Sequence, residues 1–139
     1  FAAKGRNGED IFDTSLAKRT GEYVQYHHGG INAFHVSYFR RKEPDERALH
    51  TCNLRKSYGF HLVAQGGDPI PDADECKQMY RIALEKKENI VRFLVEEVEV
   101  FRFVDDGETY GPLLSGGKIG FRQLAPMIGE YADLKVYAL

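Results

Sequence analysis

The sequence predicts an all-β protein, a sandwich of antiparallel strands, from three features of its pattern. Residues 32–65 alternate between apolar and polar side chains with a period of two, which is typical of strands with one buried face. Residues 90–95 and 98–104 are dense in β-branched and aromatic side chains, as in a hairpin. Turn-forming Gly, Pro and Asp residues separate these short runs, and hardly any segment has a helical pattern.

The composition limits the class of partner. At 139 residues the chain is long enough for one domain with a buried core. A formal net charge of −2 predicts no binding to nucleic acid or to an anionic membrane. No apolar run approaches the roughly 20 residues of a membrane span. The sequence therefore predicts a soluble protein, in which any cationic binding site must be local.

The cysteines and the start of the chain also carry information. Cys52 and Cys76 fit neither a disulfide framework nor a metal-binding spacing, so we expect two free thiols, with Cys52 in the core. Free thiols favour a cytoplasmic location. The opening residues 1–3 read like the end of a strand already in progress. We therefore expect residues 1–139 to be one domain that is the C-terminal part of a longer one.

The first 30 residues are predicted to be mostly loop. Residues 4–30 carry many turn formers, and the polar residues at 13–15 suit the cap of one short helical turn. Residues 23–26 are predicted to form a short strand that leads into a glycine turn. Adjacent residues at a strand end point apart, so His27 and His28 are not expected to share a metal ion.

Three main strands are predicted over residues 31–40, 48–55 and 60–65, joined by a polar loop at 41–46 and a turn at 57–59. One parity defines an apolar face, which we expect to enter the core: Phe34, Val36, Tyr38, Cys52, Leu54, Phe60, Leu62 and Ala64. The other parity defines a polar face: His35, Ser37, Arg41, Thr51, Asn53, Arg55, His61 and Gln65. This face has no carboxylate, which predicts that it binds an electron-rich ligand.

The rest of the chain is predicted to add further strands. Residues 73–87 suit either a capped helix or a strand, and the pattern alone leaves both readings open. Glu96-Glu97 is the predicted turn of the next hairpin, although Asn-Gly is the favoured chemistry for so tight a turn. The remaining predicted segments are a loop at 105–112 and strands at 117–123 and 130–137.

Several stretches closely resemble one family. They read EDIFDTSLAKRTGEY, INAFHVSYFRRK, ERALHTCNLRKSYGFHLVAQGGDPIP, FVDDGETYGPLLSGGKIGFRQLAP and YADLKVY, and together they extend over essentially the whole chain. They are similar to the YesU-like family of bacterial proteins, a domain of unknown function in the concanavalin-A-like lectin/glucanase superfamily. The resemblance implies a jelly roll of two curved antiparallel sheets, whose concave face in many relatives binds or cleaves polysaccharide. It also implies strands that precede Phe1 and a strand at 79–85. Members of the family are expected beside enzymes that degrade pectin, notably those that act on rhamnogalacturonan.

The polar face suits an acidic oligosaccharide. Arg presents a fork of donors to carboxylates, and His can accept or donate a proton at neutral pH. Cleavage of a uronate by β-elimination requires a neutralised carboxylate and a general base for the C5 proton, and such a base contributes about 10²–10⁴-fold. We predict His35 or His61 as the base, with Tyr38 or Tyr110 as the proton donor. The predicted substrate-binding residues are Ser37, Arg41, Asn53, Arg55, Gln65 and Arg122, to which Lys118 adds a further cation.

Hydrolysis and metal binding have less support in the sequence. Hydrolysis needs two acids at a fixed separation, and the acidic run at 105–108 is more typical of a turn. No cofactor is predicted. Asp10 and Asp13 offer oxygen ligands of the kind that Ca²⁺ takes, although two acids with this spacing are common by chance.

Two non-enzymatic functions stay open. A module that only binds glycan needs aromatic platforms, for which Tyr58, Phe60 and Tyr110 are candidates, and no convergent base. An interaction domain would instead pair its open sheet edges with another chain, such as a second copy of itself.

Overall fold

A computed structural model describes residues 1–39, 50–123 and 127–138 of the chain. These residues contain seven strands and one helical turn. The strands are β1 Lys4–Gly5, β2 Ile31–Ser37, β3 Thr51–Ser57, β4 His61–Gly67, β5 Ile82–Lys87, β6 Ile90–Val95 and β7 Val98–Val104, and the helical turn α1 is Val24–His27. They pair antiparallel in two sheets, of order β1-β2-β3-β4 and β5-β6-β7. The predicted all-β class is confirmed. No helix among the described residues is long and apolar enough to cross a membrane.

The core lies between the two sheets, where the predicted apolar face of β2 and β3 meets β6 and β7. Phe34, Cys52 and Leu54 are almost completely buried. They pack in one cluster with Val91, Phe93, Val95 and Phe101. Burial of a large apolar side chain stabilises the fold by about 1.5–3 kcal/mol, so this cluster holds the sheets together. The alternation of β2 and β3 therefore predicts these core residues correctly.

A β-bulge exchanges the faces of two side chains in β4. Arg55 pairs with Leu62, and Lys56 pairs with His61, one residue out of step with the pairs before them. Leu62 consequently lies beside Arg55 on the polar face, where it is 45% exposed. His61 lies on the side of the sheet that carries Lys56. The predicted faces of Leu62 and His61 are both wrong, because one extra residue reverses the alternation.

An ion pair is enclosed with the apolar side chains. Lys56 and Asp105 are only 1% and 2% exposed, and Lys56 Nζ lies 2.9 Å from Oδ1 and 2.7 Å from Oδ2 of the carboxylate. The same ammonium donates to the carbonyl oxygen of Gly111 at 2.8 Å. Lys56 belongs to β3 of one sheet, and Asp105 directly follows β7 of the other. The pair therefore ties β3 of the first sheet to the loop that follows β7 of the second sheet.

The β6–β7 hairpin forms at its predicted position. Glu96 and Glu97 have φ values of +48° and +69°, in the left-handed region that the tight hairpin turn demands. A residue with a side chain is strained there, which is why Asn-Gly is favoured. Arg81 offsets part of this strain, because its N–H donates to Glu96 Oε1 at 2.6 Å and its guanidinium pairs with Glu97.

Two early segments differ from the prediction. Residues 23–26 lie in α1 and its start rather than in a strand, because their backbone hydrogen bonds are local: the N–H of Tyr26 donates to Tyr23 O, and that of His28 to Val24 O. Within the predicted loop, β1 pairs with β2.

The later segments differ as well. The N–H groups of Glu75 and Cys76 donate to Asp72 O in a turn, and β5 follows this turn. The helical alternative for residues 73–87 is therefore wrong. The predicted strands at 117–123 and 130–137 are absent from the described residues, where the one bridge of this region joins Ala3 to Lys118. A strand requires a paired neighbour, and the described strands supply no ladder to these segments.

Some predictions lie outside the described residues. They are the polar loop at 41–46, the start of the second strand at 48, and the candidate ligand Arg41. The first main strand, predicted to continue to residue 40, ends at Ser37 as β2.

Candidate functional site

The outer face of β2, β3 and β4 carries two rows of side chains, each built from residues that are direct partners across the strands. The first row is Ser37, Asn53 and Gln65, and the second is His35, Arg55 and Leu62. Direct cross-strand partners have Cβ atoms about 4.5–5.5 Å apart, so each row is a continuous strip over three strands. None of the described residues of these strands is a carboxylate.

The first row presents amide chemistry. Gln65 Nε2 donates to Asn53 Oδ1 at 2.7 Å. Asn53 is buried at 3% exposure, whereas Gln65 is exposed, so the hydrogen bond anchors an outer amide on an inner one. A side-chain amide both donates and accepts hydrogen bonds, as a sugar hydroxyl does. This row therefore suits the hydroxyl groups of a glycan.

His35 lies under α1 in the second row. Its Nε2 is 3.1 Å from Ser57 Oγ, and the Tyr26 backbone forms a hydrogen bond with the ring. Burial lowers the pKa of His35 to about 4, and nearby positive charges, including that of Arg122, add to this effect. The imidazole is therefore neutral at pH 7. A general base works best when its pKa is near the working pH, so His35 is a weak candidate for that role.

Arg55 is held by an aromatic ring. Its guanidinium carbon lies 4.3 Å from the centroid of Phe60, and its Nη1 donates to Phe60 O at 3.2 Å. The prediction that Phe60 enters the core is wrong, because a φ of +58° turns its side chain toward α1. There it packs at ring-centroid distances of 4.3 Å from His27 and 5.3 Å from Tyr23. Arg55 therefore has a platform but no ion pair with a described carboxylate.

Arg122 joins the same cluster from the C-terminal segment. Its guanidinium carbon lies 4.3 Å from the ring centroid of Tyr23 and 5.3 Å from that of Tyr26. The sequence predicts Arg122 as an addition to the polar face, but it does not predict the rings of Tyr23 and His27. The signal for them is their spacing of four residues, which places two side chains on one face of a helical turn. In the strand predicted at 23–26, this four-residue spacing would not have indicated a helical face.

The four predicted catalytic residues do not converge. The rings of His61 and Tyr110 are 5.4 Å apart, on the side of the sheet opposite His35. Tyr38 packs on the core side with its ring 5.5 Å from that of Phe93, and burial raises the pKa of its hydroxyl. His61 and Tyr110 thus meet, while His35 is separated from both of them and from Tyr38.

The acidic run at 105–108 holds its own loop together. Asp105 is paired with Lys56, as described above. Asp106 accepts hydrogen bonds from the hydroxyl of Thr109 and from the backbone N–H groups of Thr109 and Glu108, which lower its pKa to about 2. Asp105 is held by Lys56, and Asp106 is ionised at neutral pH, so this run offers no protonated acid at Asp106 and gives a hydrolytic acid pair no support.

The other two acids also form local contacts. Asp13 accepts the N–H of Ser15 at 2.8 Å, and Asp10 lies 3.3 Å from Lys118 Nζ. Lys118 therefore pairs with a carboxylate instead of joining the polar face. Over the described ranges, no three His, Cys, Asp or Glu side chains come together as ligands for a metal ion.

Known proteins match this chain over most of its length. A family model described as a domain of unknown function (DUF1961) matches residues 1–136. The uncharacterized protein YesU of Bacillus subtilis (strain 168) is 56% identical over 137 residues, which are 99% of this chain and 62% of that protein. A crystal structure described as a protein of unknown function with a galectin-like fold, from Bacillus subtilis, has a TM-score of 0.88 and 57% identity, covering 91% of this chain and 57% of that one. The predicted jelly-roll sandwich is confirmed, and the chain spans about three-fifths of the length of these relatives.

Proposed function

Since this chain belongs to the DUF1961 family, a domain of unknown function with a galectin-like relative of known structure, we propose that it binds carbohydrate on its outer sheet face. The proposed ligand is an acidic oligosaccharide of the pectin or rhamnogalacturonan type. One observation carries the proposal: Arg55 stands on the Phe60 ring beside the Asn53 and Gln65 amides, on strands without a carboxylate.

The chemistry of each group fits one part of such a ligand. The Arg55 guanidinium offers a planar fork of donors, which matches the geometry of a uronate carboxylate. Gln65 presents the exposed amide of its row to the hydroxyl groups, and buried Asn53 holds that amide in place. An ion pair inside the protein would compete with a bound carboxylate, and Arg55 forms none with a described residue.

Binding without catalysis is the form of the proposal that these positions support. A lyase needs a base and a proton donor at the sugar whose carboxylate is neutralised. His35 is neutral but too weakly basic, and His61 with Tyr110 lies on the opposite side of the sheet from Arg55. We therefore propose a glycan-binding module, with β-elimination as the alternative that the assay below tests.

Calorimetry with oligogalacturonate and with rhamnogalacturonan oligosaccharides tests the binding. Arg55→Gln is expected to weaken the affinity at least about tenfold, because a hydrogen bond to a charged group contributes about 1.5–3 kcal/mol. Arg102→Gln is the matched control, since Arg102 is 51% exposed and pairs with Glu99 on the other sheet. Equal affinity in wild type and Arg55→Gln, or no binding of either glycan, would refute the proposal.

The same incubations report on catalysis. β-Elimination creates an unsaturated uronate, whose ultraviolet absorbance rises as the chain is cut. For a binding module we expect a flat signal together with measurable binding. A rising signal that is lost in His61→Ala or in His35→Ala would instead establish a lyase and overturn the non-catalytic form of the proposal.

A second candidate function, self-association, is favoured by the C-terminal segment. Within residues 127–138, apolar side chains are strongly exposed, with Ile128 at 93%, Val136 at 69% and Tyr137 at 73%. We propose a second copy of the chain as the partner that covers them. Light scattering over a range of concentrations is expected to show a dimer, which Val136→Asp should weaken. A monomer at all concentrations would exclude this candidate.

A further inference from the structure

We infer that five aromatic side chains and three arginines around α1 form a second subsite, which binds a run of consecutive acidic sugars. This inference rests on the proposed carbohydrate binding, and it deepens it by adding residues beyond the sheet face and by specifying a ligand with several carboxylates. The rings, called the ring row below, are Tyr23, His27, His28, Tyr58 and Phe60.

The ring row is continuous from one side of α1 to the turn between β3 and β4. The ring of His27 lies 4.8 Å from that of Tyr23, 4.3 Å from that of Phe60 and 4.6 Å from that of His28. His28 in turn lies 5.7 Å from Tyr58. These separations are those of rings in contact. The Nδ1 atoms of His27 and His28 also touch, which fixes the two imidazoles relative to each other.

An arginine stacks at each end of the ring row and another near its middle. Arg122 covers Tyr23 at 4.3 Å, Arg55 covers Phe60 at 4.3 Å, and Arg6 covers Tyr58 at 4.1 Å. Arg6 comes from the N-terminal loop, Arg55 from β3 and Arg122 from the C-terminal segment. Three distant parts of the chain thus bring cations to one strip of rings.

The three arginines on the ring row differ in their ion pairing from the arginines in or next to the β5-β6-β7 sheet. Arg81, Arg92 and Arg102 each form an ion pair with a glutamate. None of the three arginines on the ring row has a described carboxylate as an ion-pair partner; their contacts are rings and the backbone carbonyl oxygens of Phe60 and Gly21. A stacked guanidinium keeps its charge and most of its donors, so it can still receive an anion.

The nature of the imidazoles also favours an anionic ligand with sugar rings. Burial, followed by the positive charges of His28, Arg122 and Arg55, lowers the pKa of His27. The ring of His27 lies between those of Tyr23 and Phe60. Tyr23 and Tyr58 are 39% and 43% exposed, so the parts of their rings that the arginines leave uncovered offer sugar rings an apolar surface. The arginines then meet the carboxylates. One uronate would use one arginine, whereas three separate arginines along a strip suit a run of uronates.

The test compares affinities for trigalacturonate, for monomeric galacturonate and for the fully methyl-esterified trimer, all by calorimetry. For the wild type we expect the acidic trimer to bind more tightly than the monomer or the neutral trimer. The double variant Arg6→Gln/Arg122→Gln should lose at least about tenfold in affinity for the acidic trimer. Its affinity for the neutral trimer should fall much less, and the loss for the acidic trimer should shrink at high salt, because salt screens exposed charges.

The outcomes separate this inference from the proposed function. If Arg55→Gln loses affinity for the acidic trimer while Arg6→Gln/Arg122→Gln keeps it, the ring row is not a subsite and the sheet face alone binds. If the wild type binds no acidic oligosaccharide, both proposals fail together. Circular dichroism of each variant and the control Arg102→Gln distinguish a lost contact from a lost fold.

Discussion

Replacing Lys56 by Met is expected to lower the free energy of unfolding by about 3–5 kcal/mol, because the Asp105 carboxylate is left buried without its cation. The pair is 1% and 2% exposed, so water cannot take the place of the ammonium. The carbonyl oxygen of Gly111 also loses its donor at 2.8 Å. A small domain is stable by only about 5–15 kcal/mol in total. The substitution should therefore remove a large share of the stability.

Arg81→Met is the matched control, because it breaks an ion pair whose partners, Arg81 and Glu97, are 70% and 77% exposed. Such a surface pair contributes about 0–1 kcal/mol. The double variant Lys56→Met/Asp105→Asn leaves no buried charge, so its loss should be clearly smaller than the sum of the two single losses. Urea unfolding followed by circular dichroism measures the wild type, Lys56→Met, Asp105→Asn, the double variant and Arg81→Met. The reasoning is refuted if Lys56→Met costs no more than Arg81→Met, or if the single losses simply add.

Three further changes test other parts of the structure. Glu96→Asn with Glu97→Gly should raise the free energy of unfolding by about 1 kcal/mol, because the relief of left-handed strain at two residues exceeds the loss of their exposed contacts with Arg81. An unchanged urea midpoint would contradict this. Folding lowers the pKa of His35 from 6.5 to about 4, so the unfolded chain binds more protons between these values, and stability should fall as the pH drops through this window. His35→Gln should flatten that slope in urea midpoints measured between pH 4 and 7. A Cβ at Gly66 would lie 2.0 Å from a backbone oxygen of β7, whereas one at Gly67 would meet nothing within 4 Å. Gly66→Ala should therefore lower the melting temperature far more than Gly67→Ala.

The amino-acid pattern alone determined the class of fold and much of its core. Period-two alternation is a local property of extended chain, so it predicted the burial of Phe34, Cys52 and Leu54. The β-rich runs predicted the β6–β7 hairpin despite its unfavourable Glu96-Glu97 turn. The same alternation predicted a sheet face with Arg and amide groups and without carboxylates, on which the proposed ligand site still rests.

Only the tertiary structure decided which side chains meet. The bulge in β4 depends on how that strand pairs with β3, and it separates His61 from His35 although their parities agree in sequence. The ring row depends on the packing of α1 against β2 and β3, and on Arg6 and Arg122 reaching it from far along the chain. Local pattern encodes which face of a strand is apolar. Contacts between distant segments are set by packing, so no local pattern contains them.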